Sequence, residues 1–461
     1  MAETQTPITP ADEPGHADEE RGQLTDIGNA LRLSARFEHD LRYVPSHGWL
    51  RYEGHRLVKL DGLPLDEACE LPKLIRSEVD ASHTREKFDA HEKWAFKTSA
   101  ASRLREALAL ASDLPTFRTH HTALDRNPEE LNTPVGVYDL TDGTLRETLA
   151  GDLLTRSTRC KPVPNAAPTF KRFLEQVLPS QDVRNYVQRA VGYSLTGLTK
   201  EEVFFILHGK GQNGKSKLMG AIAHALGNYS HSFDPKLIVQ QRYEGHPTNI
   251  ASLHGVRFAY SSEVSEEATL DEGRVKAITG GDVITARFMR KDEFSWSPTH
   301  KLWIAVNHLP VIKGTDKGMW RRVVVIPFDV DISDEDRDND LEDKLKAEAS
   351  GILAWAIDGA VEYLKHGLCP PVEVLTASDH YKQEQDHTSL YLAEATVEEA
   401  GATAKSGDLY LGFKRWCEDN GQQPMNSNAF GRELTRLGFE GATINNVRVR
   451  KGLRLIERSW V

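Results

Sequence analysis

Apolar residues recur at two spacings along this chain, and the spacing divides it into segments. In "LTDIGNALRLSARF" they return every three to four residues, which predicts a capped amphipathic helix. "LRYVPSHGWLRYEGHRLVKL" reads as strand, turn, strand, and a charged, His-containing stretch from Leu71 to Ala111 reads as helical. "TPVGVYDLTDGTLRE" predicts a hairpin around Asp142-Gly143. "PTFKRFLEQVLPSQDVRNYVQRAVGYSLTG" predicts two helices interrupted at Pro179. From about Glu202 to Asp331 short apolar runs alternate with helical ones, the pattern of an α/β core. An acidic loop then precedes helices whose apolar face is Ile352, Ala356, Ile357, Ala360, Val361 and Leu364. A charged helical connector, Glu373 to Thr388, leads to a final stretch that reads helix, turn, helix, two strands. No internal repeat is visible.

With 461 residues, 39% hydrophobic and 27% charged, the chain has the composition of an ordinary globular protein of roughly two to four domains. No apolar run approaches the ~20 residues of a membrane span. The N-terminus is polar and acidic, which predicts a disordered tail and no signal peptide. Cys69, Cys160, Cys369 and Cys417 are scattered without a C-x-x-C pair, so neither a disulfide framework nor a zinc site is expected, and a cytoplasmic location fits. The net charge of −11 argues against a chain that coats nucleic acid throughout, yet leaves room for a local basic channel.

Candidate chemistry starts at "FFILHGKGQNGKSKLMGAIAHAL", Phe204 to Leu226. A short β-type run meets Gly209, Lys210, Gly211, Gln212, Asn213 and Gly214, and a helical pattern opens at Lys215, Ser216 and Lys217. This is the strand, glycine loop and helix context that G-x-x-x-x-G-K-[ST] requires. Glycines let successive N–H groups turn inward on phosphates. Lys215 would reach the outer phosphates of ATP, and Ser216 would put a hydroxyl on Mg²⁺.

Three further positions are candidates for hydrolysis. Glu263 follows the apolar run Val256 to Tyr260, where a carboxylate can hold the Mg²⁺ shell or orient water; a surface glutamate is the plainer reading. Asn307 ends the run Leu302 to Val306 and suits a γ-phosphate contact or a turn. Arg321 and Arg322 precede a last apolar strand, suiting action on a neighbour's phosphoryl group or a structural salt bridge. Between them, Val283 to Phe288 and Glu293 to Trp296 flank Met289-Arg290-Lys291. That predicts a hairpin whose tip would grip a nucleic-acid backbone, or else an ordinary charged turn.

Taken in order, "GKGQNGKS", "SSE", "ITGGDVITAR", "WIAVNHLP" and "GTDKGMWRRVVVIPF" resemble the superfamily three helicases. The resemblance is closest to the phage and plasmid primase–helicase branch, related to poxvirus primase–helicases, and "GVYDLTDGTLR", "FKRFLEQVLP" and "VQRAVGYSLTG" extend it upstream. It implies a homo-hexameric, AAA+-like ring that hydrolyses ATP between subunits and moves 3′→5′ on single-stranded or forked DNA during replication. By that resemblance Lys215 and Ser216 are the phosphate-loop pair, Glu263 the acidic-strand residue, Asn307 the sensor, Arg321 or Arg322 the arginine finger, and Arg290 with Lys291 the DNA grip. Ser262, where a second acid is usual, departs from the pattern.

The terminal stretch is similar to the winged helix of the same family. Arg432 and Arg436 on its second helix, and Arg448, Arg450 and Lys451 on its last strand, are candidate DNA contacts; protein contact is the alternative. The expected architecture is therefore an α/β, AAA+-like P-loop ATPase core with an N-terminal α-rich domain and a C-terminal winged helix. Its boundaries fall at a 1–23 tail, a 24–200 α-rich domain, a 201–331 ATPase core, a 332–388 helical lid and connector, and a 389–461 winged-helix-like domain. Many relatives carry a primase domain before this point. Here only the acidic tail precedes Thr25, so the expectation is a chain that unwinds, with a primase or initiator as a separate partner, in the cytoplasm of a bacterial host. A non-unwinding ring ATPase that remodels or loads partners, and a nucleotide-gated origin-binding protein, are the competing functions.

Overall fold

The structure, a computed structural model, describes residues 22–241, 248–262, 268–287, 293–314, 316–333, 335 and 337–456. Most of the expected acidic tail, Glu263 and the Arg290-Lys291 tip lie outside the described residues.

At the centre is a parallel sheet of β1 (Phe204–His208), β2 (Ser230–Ser232), β3 (Phe258–Ser261), β4 (Lys301–Val306) and β5 (Val323–Pro327), in the order β5-β1-β4-β3-β2. β4 is buried along its whole length and β1 up to Leu207, which is why both read as continuous apolar runs. Alternate residues divide between two layers. Phe205, Leu207, Trp303 and Ala305 face one core, and Phe204, Ile206, Leu302 and Ile304 the other. Phe205 and Trp303 stack across the β1–β4 ladder with ring centroids 4.3 Å apart.

The register levels the C-terminal ends of three strands. His208 of β1 pairs with Val306 of β4 and with Pro327 of β5. The residues leaving these strands, Gly209, Asn307 and Phe328, therefore converge on one edge of the sheet. Crevices at carboxyl ends of parallel strands are where α/β sheets bind ligands.

The first core is closed by α1 (Pro168–Val177), α2 (Gln181–Leu195), α3 (Lys215–Leu226), α4 (Leu341–Ala347) and α5 (Ala349–His366). α2 and α5 approach so closely that only glycine fits the seam. A Cβ on Gly192 would lie 2.1 Å from the Ala360 nitrogen, and one on Gly359 would lie 2.2 Å from the Gln188 carbonyl oxygen. Glu348, between α4 and α5, accepts from the Thr169 and Phe170 amides at 2.9 and 2.8 Å, capping α1. The outer edge of β5 is covered by α6 (Val372–Gln385), whose Ser378 hydroxyl accepts from the Val325 amide at 2.9 Å.

Upstream, the expected capped helix is Asp26–Phe37, and its cap is Thr25, whose Oγ1 accepts from the Gly28 amide at 3.0 Å. The expected strand–turn–strand piece holds three antiparallel strands, with Leu57–Lys59 added to Leu41–Val44 and Gly48–Tyr52. The Asp142-Gly143 reversal joins Gly136–Asp139 to Leu145–Arg146. Downstream, α7 (His387–Ala395), β6 (Thr396–Lys405), α8 (Ser406–Asp419), α9 (Ser427–Arg436), β7 (Gly441–Ile444) and β8 (Val447–Leu455) surround a core of Tyr391, Leu409, Phe413, Trp416, Phe430 and Leu434. The sheet order is β6-β8-β7, so the two expected strands gain a third, β6, from the far side of α8.

Candidate functional site

The loop leaving β1 is built for close backbone approach. Gly211, Gln212 and Gly214 have φ of +108°, +50° and +88°, and a Cβ on Gly209 would lie 2.2 Å from both Asn213 Nδ2 and the Phe328 oxygen. Asn213, itself buried, donates from Nδ2 to that oxygen at 2.6 Å and so ties the loop to the exit of β5. α3 opens at Lys215 behind Gly214 with no side-chain cap, so its first N–H groups are open to an anion.

Lys215 is 5% exposed, and its three protons meet three neutral acceptors: Gly209 O at 2.8 Å, Asn213 Oδ1 at 2.7 Å and Asn307 Oδ1 at 3.1 Å. Burial lowers its pKa from the ordinary lysine value. No carboxylate neutralises it among the described residues, so its charge stays directed at the cleft. That cleft, about 1090 Å³, lies between the loop, α1 and α4, and Ser216, Ser262 and Asn307 line it.

The surrounding charges are mostly paired. Lys217 reaches Glu342 of α4 at 2.7 Å, and Glu342 also meets Lys346 at 2.7 Å; the two ammonium groups pull its carboxyl down to about 2. Lys344 pairs with Asp338 at 2.6 Å, and Arg337 donates to Gln212 of the loop. Lys210 is exposed on the outer side of the loop, in a second pocket shared with Asp329 and Asp331.

Lys215, Ser216 and Asn307 thus meet in one cleft, and Ser262, immediately before Glu263, is there too. Arg321 and Arg322 are at the other end of the sheet. The Arg322 carbonyl accepts from the Phe204 amide at 2.8 Å, at the start of β1. Both guanidinium groups donate to Glu202, but their settings differ. The Arg322 side chain is 9% exposed and also holds the Gly318 oxygen at 2.6 Å, whereas that of Arg321 is 61% exposed.

The strands flanking Arg290 and Lys291 are Ile284–Ala286 and Phe294–Trp296, paired antiparallel. Phe294 and Trp296 stack at 4.9 Å and meet His254 at 5.2 and 5.4 Å. His47, from the N-terminal region, packs against His254 and Phe294. Burial, aided by neighbouring positive charge, pushes His254 down to about 3 and His47 down to about 4.

In the terminal region Arg432, Arg448 and Lys451 are exposed. Arg436 is paired with Glu433 at 2.5 Å and Asp386 at 3.0 Å. Arg450 donates to Gly431 O at 2.7 Å, Thr435 Oγ1 at 2.8 Å and Phe439 O at 3.0 Å, which fastens β8 to the end of α9. Arg172 of α1, which lines the cleft, and Glu202, which holds both arginines, belong to no motif in the sequence. Arg172 stands on the polar face of an amphipathic helix, where nothing in its spacing marks it out.

Three family models match parts of the chain: "D5 N terminal like" over residues 30–179, a family of unknown function (DUF5906) over 207–322, and "Poxvirus D5 protein-like" over 383–451. The second spans the glycine loop, Asn307 and both arginines. "Putative helicase L207/L206" of Acanthamoeba polyphaga mimivirus is 27% identical over 86% of this chain and 45% of its own length. "Putative helicase 022R" of Frog virus 3 is 25% identical over 57% and 29%, and "Putative primase C962R" of African swine fever virus 24% over 54% and 28%. The chain therefore spans less than half the length of these curated relatives. A solved structure of the NrS-1 C terminal region aligns at a TM-score of 0.49 and 11% identity, covering 89% of this chain and 94% of that one. The family matches and the viral relatives support a relation to the D5-type primase–helicases.

Proposed function

We propose that this chain is an ATP-dependent DNA helicase acting in replication of a virus, phage, prophage or mobile element. It works as a homo-hexameric ring moving 3′→5′ on single-stranded DNA. The observation that carries the reading is the Lys215 ammonium, buried with no counter-charge among the described residues and held toward the cleft by the loop and by Asn307. A buried cation held by neutral acceptors beside open helix N–H groups suits a polyphosphate, and the names of the viral relatives point from nucleotide toward DNA.

In this reading residues Gly209 to Lys217 hold the triphosphate. Lys215 gives up part of its contacts to Gly209, Asn213 and Asn307 for the β- and γ-phosphates. Ser216, exposed in the cleft, and Glu263 would hold Mg²⁺, which supplies positive charge against the phosphate oxygens. Glu263 orients the attacking water, and Asn307 bonds the γ-phosphate or that water.

Arg321 is the finger. Lying at the opposite sheet end from its own cleft and largely exposed, it suits a neighbour's phosphates, while Arg322 is engaged inside its own subunit. Arg290 and Lys291 grip the strand in the ring lumen. Arg432, Arg448 and Lys451 offer free charge to DNA phosphates in a winged-helix-like terminal domain, with Arg436 and Arg450 held in internal contacts at its edge.

The test is ATP hydrolysis measured with and without single-stranded DNA. Hydrolysis that rises several-fold with the strand supports a DNA motor. Hydrolysis indifferent to DNA supports instead a ring ATPase that remodels or loads protein partners, and absent hydrolysis removes the enzyme.

A further inference from the structure

We propose that Arg172 of α1 is a cis-acting ligand of the nucleotide phosphates, so that the helical region upstream of the sheet responds directly to nucleotide occupancy. This rests on the reading of the cleft as an ATP site.

α1 abuts the glycine loop. From the Cβ position of Gly214, Val177 Cγ1 is 2.7 Å away and Phe173 Cε2 2.8 Å. Gly214 immediately precedes the uncapped start of α3, so Phe173 marks the phosphate end of the cleft. Arg172 immediately precedes Phe173 on α1, and it lines the same cleft. A guanidinium there carries five donors suited to phosphate oxygens.

Arg172 is also unoccupied in a crowded electrostatic neighbourhood. Lys215, Lys217, Lys344 and Arg337 all have partners. Arg172 is exposed and makes no hydrogen bond or ion pair with any described residue. Its backbone, by contrast, is fixed. Pro168 opens the helix, Glu348 caps it, and Phe170 packs edge-on against Trp355 of α5 with centroids 5.0 Å apart. Binding thus needs only the side chain to order. A pull on Arg172 acts on α1 and, through the short Pro179 break, on α2 and its glycine seam with α5.

The experiment is equilibrium binding of ATP, ADP and AMP, with Mg²⁺, to the full chain and its Arg172→Ala, Arg172→Lys and Lys215→Ala variants. Hydrogen exchange of residues 168–177 is followed in parallel. Arg172→Ala should bind ATP about tenfold more weakly, the effect of losing one charge-assisted contact. The loss should shrink through ADP and vanish for AMP, and Arg172→Lys should recover part of it. ATP should slow exchange in α1 of the wild type and leave that of Arg172→Ala unchanged. Without nucleotide the variant should melt with the wild type, since Arg172 has no partner to lose among the described residues. Equal ATP affinity of Arg172→Ala and wild type overturns the proposal, and so does an equal loss for ATP and AMP. If the wild type binds no ATP, or Lys215→Ala binds it normally, the ATP reading itself has failed.

Discussion

Lys215 and Asn307, 92 residues apart, meet at 3.1 Å because the parallel register of β1 and β4 brings both strand ends to one level. The contact joins the residue proposed to hold the outer phosphates to the residue proposed to sense them. Asn307 offers its oxygen to Lys215, and its amide nitrogen, which has no acceptor among the described residues, can donate to a γ-phosphate or to water.

Lys215→Ala should abolish ATP turnover, by at least about a hundredfold, since a charge aimed at the transferring phosphoryl group acts mainly in the transition state. Asn307→Ala should lower kcat about tenfold or more with a smaller change in KM. Phosphate release at saturating and limiting ATP checks both; an Asn307→Ala enzyme with normal kcat would return that residue to a turn.

The two arginines should separate cleanly. Arg322→Ala strips a buried cation from Glu202 and from the Gly318 carbonyl and should cost about 2 kcal/mol of stability. Arg321→Ala removes a largely exposed partner of Glu202 and should cost about 0.5 kcal/mol or less, yet suppress turnover. Mixing Arg321→Ala with Lys215→Ala subunits should restore some hydrolysis, because each supplies what the other lacks. Rescue by the Arg322 variant alone would reverse the assignment.

Gly192→Ala should destabilise the protein by about 3 kcal/mol or more, because the added methyl would fall on the backbone of α5. Gly220→Ala, in α3 with open space around its Cβ position, is the matched control and should be neutral or slightly stabilising. Chemical denaturation of the two variants measures the difference.

His254 and His47 titrate near 3 and 4 in the folded chain and near 6.5 when unfolded, so the unfolded chain binds more protons between those limits. Stability they contribute is present above about pH 6.5 and is lost as pH falls toward 4. A His254→Phe variant should show a shallower fall in melting temperature between pH 7 and pH 4.5. An unchanged slope would mean that burial of His254 has little to do with the acid limit.

The strand, glycine loop and helix were legible because the pattern is local: glycine spacing, Lys215 and the flanking runs all sit within one short segment. β6 was not. "TVEEAGATAK" shows no alternation, since only Thr396 and Ala404 are buried, and the pairing with β8 shifts register between Glu398 and Thr403. The candidate DNA arginines were legible as charge alone. Arg448 and Arg450 look alike on one strand, but only tertiary structure turns Arg450 toward Gly431, Thr435 and Phe439. Arg172 and the Gly192–Gly359 seam have the same cause. Each is meaningful only through a partner far away in the chain.

Strand displacement on forked DNA shows whether ATP drives this protein along a strand. A fork with a 3′ single-stranded tail should be unwound in the presence of ATP, and one with only a 5′ tail should not, with Lys215→Ala inactive on both. Hydrolysis of ATP without displacement of either fork, or displacement that survives Lys215→Ala, would rule out an ATP-driven DNA motor powered through Lys215.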